Sequence, residues 1–98
     1  MKIEEIKVFH VHQFVYVKIE TDEGIYGIGE ASLSGRSLAV SEALGHIKPL
    51  LIGQDPTRIE HIWQDIFRGT FWRGGPVLQS ALAGIDIALW DLAGKSLG

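Results

Sequence analysis

The chain of 98 residues contains no cysteine, so disulfides and thiolate metal sites are excluded. That absence fits a cytoplasmic setting, which is the expected localisation. Long apolar runs are also missing, and on that ground no transmembrane helix is expected. The start, MKIEEIKVFHV, mixes charge with apolar residues and has no signal-peptide core. Basic residues are in deficit: nine Lys and Arg against 12 Asp and Glu leave a formal charge of −3. Nucleic-acid binding is therefore not expected, and no membrane partner is expected either. Repeats and low-complexity tracts are lacking too. What is present, 46% hydrophobic and 21% charged residues, is the chemistry of one small globular domain.

The first third alternates with period two. Ile6, Val8 and His10 point one way and Lys7, Phe9 and Val11 the other; residues 14–21 repeat the pattern. Thr21-Asp22-Glu23-Gly24 supplies turn chemistry before a third strand over 25–31, which predicts an antiparallel meander. Gly27 and Gly29 share one face of that strand and would let a helix approach closely. Three helices follow. The first runs from about Arg36 to Ile47, with Ser34 or Ser37 as cap and Pro49 as interruption. The second opens near Asp55-Pro56, with Thr57 to Glu60 as a possible capping box, and carries the stripe Ile59, Ile62, Trp63, Ile66 and Phe67 to a stop at Gly69. A third starts near Pro76 and is apolar almost all round, which implies burial on more than one side and a partner surface. The class is α+β: about 1–31 a three-stranded meander, about 36–95 helices.

Several groups could carry chemistry, and each has a plainer reading. His10 and His12 could present two imidazoles to a metal, or be surface residues at a strand end; no carboxylate accompanies them with ligand spacing, so no metal site is assigned. Glu30 ends the third strand, where clefts form, or is a surface carboxylate. Asp86 and Asp91 lie about 140° apart around a helix, a poor dyad, so each is expected to pair locally or order a neighbouring segment. The loop Ala31-Ser32-Leu33-Ser34-Gly35-Arg36 suits a polyhydroxylated or carboxylate ligand, or merely starts a helix. FRGTFWRGGP, 67–76, is an anion cradle at a helix N-terminus or a stiff connector.

KIETDEGIYGIGEA, LIGQDPTRIEHIW, FRGTFWRGGPV and ALAGIDIALWDLAGKSLG together resemble the N-terminal domain of the enolase superfamily, in its mandelate racemase-like branch. AGIDIALWDLAGK carries the superfamily likeness, and FWRGGP narrows it towards the mannonate and galactonate dehydratases. The resemblance implies a capping domain over 1–98 that sits on a (β/α)-barrel absent from this chain. It implies a function as the capping, substrate-specificity domain of an acid-sugar dehydratase. Such enzymes abstract a proton α to a carboxylate and eliminate a β-hydroxyl, with Mg2+ expected in the full-length enzyme and bound by none of these residues. No catalytic residue is expected here.

The resemblance implies specificity loops at His10, His12 and Gln13 and at Glu30, Ser32, Ser34 and Arg36, with Phe71, Trp72 and Arg73 as candidate cap–barrel or pocket contacts. The implied partners are the barrel, a sugar-acid substrate and further copies in a homo-oligomer. Two alternatives remain at this point. One is a racemase or cycloisomerase of the same superfamily. The other is a non-catalytic α+β module that associates through its apolar third helix. An isolated cap is expected to expose Leu78, Leu82, Ile85 and Leu89.

Overall fold

Period-two patterning produces the expected strands. The computed structural model describes residues 1–33, 35–69 and 76–97, the side chains of 67–69 excepted. Strands β1 (Ile3–Val11), β2 (Phe14–Thr21) and β3 (Tyr26–Glu30) form an antiparallel sheet in the order β1-β2-β3. Ile6 pairs with Ile19, Val8 with Val17 and His10 with Val15, so these side chains share one face. Val15, Val17 and Ile19 are completely buried there. The opposite face carries Lys7, Phe9, Tyr16 and Lys18 and stays open to solvent, as antiparallel sheets allow. Helices α1 (Ser37–Leu51), α2 (Ile59–Gly69) and α3 (Pro76–Ser96) complete the α+β architecture. α1 and α3 cover the buried face, and α2 packs on both of them.

The approach of α3 to β3 is what the glycine pattern anticipates. A β-carbon added at Gly27 would collide with the Ala88 carbonyl, and one at Gly29 with the Gly84 carbonyl. Gly84 in turn leaves room for the Ala31 side chain. Strand and helix backbones thus touch with nothing between them.

α3 also closes the free edge of β3. Asp91 Oδ2 accepts the Ile28 N–H at 3.0 Å, and Lys95 Nζ donates to the Tyr26 carbonyl at 2.9 Å while pairing with Asp91 at 3.1 Å. The ammonium also lies 4.3 Å from the Tyr26 ring centroid, and Lys18 stands 4.4 Å from it. Asp91 therefore orders a neighbouring segment, as expected of it, and two edge groups that could template another strand are occupied.

The Ile28 N–H first, and Lys95 second, hold the Asp91 carboxyl below its ordinary value of 3.8. A depressed carboxylate adds stability above its unfolded pKa and loses it as pH falls through the lowered folded one. Asp91→Ala should cost about 1 kcal/mol at neutral pH. Its melting temperature should converge on that of the parent as pH drops through that acid range, as followed by circular dichroism.

Four expectations need correction. Pro49 does not interrupt α1, which runs to Leu51 with the proline inside it. Gly45 and Pro49 are both exposed, so the carbonyl deprived of its partner faces water. Ser37 does not cap this helix: Arg36 is the N-cap residue and makes no side-chain cap bond, while Ser34 lies outside the described residues. Nor does Thr57 form a capping box with Glu60. Asp55 Oδ1 accepts both the Thr57 N–H, at 2.9 Å, and its hydroxyl, at 2.7 Å, so Asp55–Arg58 is a separate turn and α2 begins at Ile59.

The fourth correction concerns α3. Leu78, Leu82, Ile85 and Leu89 are all buried inside the domain itself, because α1, α2 and β3 surround that side. The apolar surface left over belongs to Ile87, Trp90 and Leu97. By length and composition α3 could cross a membrane, which run length alone conceals; here its inner side is taken up by the sheet.

Candidate functional site

The tight turn between β1 and β2 consists of His12 and Gln13, since Val11 pairs directly with Phe14. A two-residue hairpin needs positive φ at its centre, and His12 supplies it at 56°. The strand therefore ends before His12, and His10 and His12 do not share a strand face. His10 lies on the helix-covered side of the sheet but beyond the helices, so it is exposed, as are His12 and Gln13. Phe9, Val11 and Phe14 form an apolar collar on the other side of the tip. The Phe14 and Tyr16 rings lie 6.5 Å apart there.

At the same end of the sheet the chain leaves β3. Glu30 is its last residue, exposed and opposite Tyr16. Ala31 is buried against Gly84 of α3, and its N–H reaches the Val15 carbonyl at 2.8 Å. Ser32 Oγ accepts the Val15 N–H at 3.0 Å. The loop then turns back, with the Arg36 N–H bonded to the Leu33 carbonyl at 3.0 Å and Gly35 at φ 73°. Leu33 packs against the core, while the Arg36 guanidinium lies exposed and donates to the Gly35 carbonyl at 3.1 Å.

The structure thus brings His10, His12, Gln13, Glu30, Ser32 and Arg36 to one end of the sheet. Imidazoles, an amide, a hydroxyl, a guanidinium and a carboxylate can recognise hydroxyls and carboxylates by hydrogen bonding. Among the described residues no three His, Asp or Glu side chains gather as metal ligands. Ser34, Phe71, Trp72 and Arg73 lie outside the described residues.

A second feature escaped the sequence reading. An open groove of about 640 Å³ between α2 and α3 is lined by Arg58, Ile59, His61, Trp90, Ala93 and Leu97, among others. A neighbouring hollow of about 330 Å³ adds Trp63, Gln64 and Asp86 and shares Trp90. The available signal was the spacing Ile87, Trp90, Gly94, Leu97, one stripe of a helix already apolar elsewhere.

Residues 5–98 match the family model for the mandelate racemase / muconate lactonizing enzyme N-terminal domain. The chain is 56% identical over 86 residues to a D-mannonate dehydratase of Novosphingobium aromaticivorans, a match covering 87% of this chain and 21% of that protein. It is 52% identical over 99 residues to a D-galactonate dehydratase of Pectobacterium atrosepticum, covering all of this chain and 26% of that protein. Among solved structures, an enolase from Pantoea ananatis with bound D-gluconate and Mg superposes with a TM-score of 0.94 at 46% identity. That match covers 99% of this chain and 25% of the other. The chain spans about a quarter of the length of the relatives it matches.

Proposed function

Because the chain belongs to the mandelate racemase / muconate lactonizing enzyme family as its N-terminal domain, we propose that it caps and shapes the substrate pocket of an acid-sugar dehydratase. The observation that carries this reading is the convergence of the β1–β2 turn and the post-β3 loop at one sheet end, tied together through Val15. A polar lip of that kind can grip the hydroxyls and carboxylate of a sugar acid and exclude water while chemistry proceeds beneath it. The relatives named for D-mannonate and D-galactonate, and the structure holding D-gluconate, support sugar acids as the substrate class.

The reaction would remove a proton α to the carboxylate and expel a β-hydroxyl, with acid–base groups supplied outside these 98 residues. Mg2+ accompanies the D-gluconate-bound relative. In this proposal its ligands would come from the remaining three-quarters of such a protein. That remainder would pack on the groove between α2 and α3, covering Trp63, Trp90 and Leu97. A homo-oligomer and a cytoplasmic setting belong to the same proposal.

The pure 98-residue chain should show no Mg2+-dependent dehydration of D-mannonate, D-galactonate or D-gluconate. Measurable turnover by a preparation of verified mass would contradict the assignment of catalysis to the missing part.

A further inference from the structure

We infer that Ser32 is a positioning residue, a side-chain latch that makes the β1–β2 turn and the post-β3 loop move as one lip of the proposed pocket. The ladder between β2 and β3 explains how. Val17 faces Gly29 and Ile19 faces Gly27 in the pairs that point their backbone groups at each other, so the next such pair is Val15 with Ala31. Half of that pair is regular, the Ala31 N–H reaching the Val15 carbonyl at 2.8 Å. In the other half, the bond that a ladder would draw from the Val15 N–H to the Ala31 carbonyl goes to Ser32 Oγ instead, at 3.0 Å. The hydroxyl stands in for a main-chain acceptor, which lets the chain leave the sheet without leaving Val15 unpaired.

Position completes the device. Ala31, just before the latch, is wedged against Gly84 of α3, and Val15 lies two residues beyond Gln13 of the turn. Movement of the loop therefore pulls on the root of the hairpin. With the Val15 N–H accepted, the Ser32 hydroxyl keeps its proton and a second lone pair. Its first task is to hold two loops in register, and any contact with a ligand would use what that bond leaves.

The latch rests on the capping reading for its purpose, but it is measured on the 98-residue chain without substrate or metal. Its failure therefore leaves the dehydratase proposal untouched, and the reverse holds too. Amide hydrogen exchange should show the Val15 N–H of Ser32→Ala exchanging about fivefold faster than in the parent, the loss of one modest hydrogen bond. Ile19, on the same strand but far from the latch, should be unchanged. Ser32→Thr, which keeps the hydroxyl, should restore Val15 protection. Unchanged exchange at Val15 in Ser32→Ala overturns the inference. Equal acceleration at Val15 and Ile19 overturns it as well, since Ser32 would then act on stability in general.

Discussion

Gly29→Ala should lose about 3 kcal/mol of stability or more, a large part of what a domain of this size possesses. The new β-carbon would sit inside the contact radius of the Gly84 carbonyl oxygen and close to the Ala88 nitrogen. Both obstacles are backbone atoms of a helix, so no side chain can swing aside; β3 or α3 must move bodily. Gly27→Ala meets the Ala88 carbonyl and the Leu92 backbone and should behave alike. Gly94→Ala is the matched control. It lies in α3, the helix that β3 touches, with nothing within 4 Å of the added carbon. Relief of the helix penalty of glycine should make it neutral or up to about 1 kcal/mol more stable. Urea unfolding of the three variants gives the comparison directly. Similar midpoints for Gly29→Ala and Gly94→Ala would refute direct backbone contact between β3 and α3.

Trp90→Asp should leave the isolated chain folded and abolish its tendency to associate. Trp90 is 61% exposed and lines both hollows beside α2, so its removal opens no cavity in the core. The melting temperature should shift by no more than about 2–4 °C, the scale of a surface substitution. Sedimentation should move from self-associating to monomeric, because Ile87, Trp90 and Leu97 form the apolar stripe that the domain does not cover itself. A charge at Leu89 cannot make this test, since Leu89 is buried and its loss would unfold the chain. A parent chain that stays monomeric at high concentration would weaken the claim that this stripe awaits a partner surface.

The strand faces were legible because period two reports burial locally: Val15, Val17 and Ile19 declare their face without reference to anything distant. The close approach of a helix at Gly27 and Gly29 was legible for the same reason. Which side of α3 remains free was not. A helix apolar nearly all round does not reveal which leucines its own domain claims, and Leu78, Leu82, Ile85 and Leu89 prove to belong to its core. The Asp91 and Lys95 bonds to β3 span 63 and 69 residues of chain, and only the packing of α3 brings them together. Helix starts misled where Asp55 and Thr57 close a turn of their own ahead of α2, which begins only at Ile59.

At the candidate site, residue chemistry left each loop with two readings. Resemblance placed the loops together and the structure brings six of the proposed residues to one end of the sheet. The role of Ser32 depends on the register of β2 against β3, which no local pattern encodes.

The most direct test is a graft. This chain would replace the matching N-terminal part of the D-galactonate dehydratase of Pectobacterium atrosepticum, to which it is 52% identical over 99 residues. The purified, folded graft would be assayed with Mg2+ on D-galactonate, D-mannonate and D-gluconate, beside the same enzyme with its N-terminal part deleted. The account predicts sugar-acid dehydration by the graft and none by the deleted enzyme. A folded graft inactive on all three acids, or a deleted enzyme as active as the graft, would contradict it.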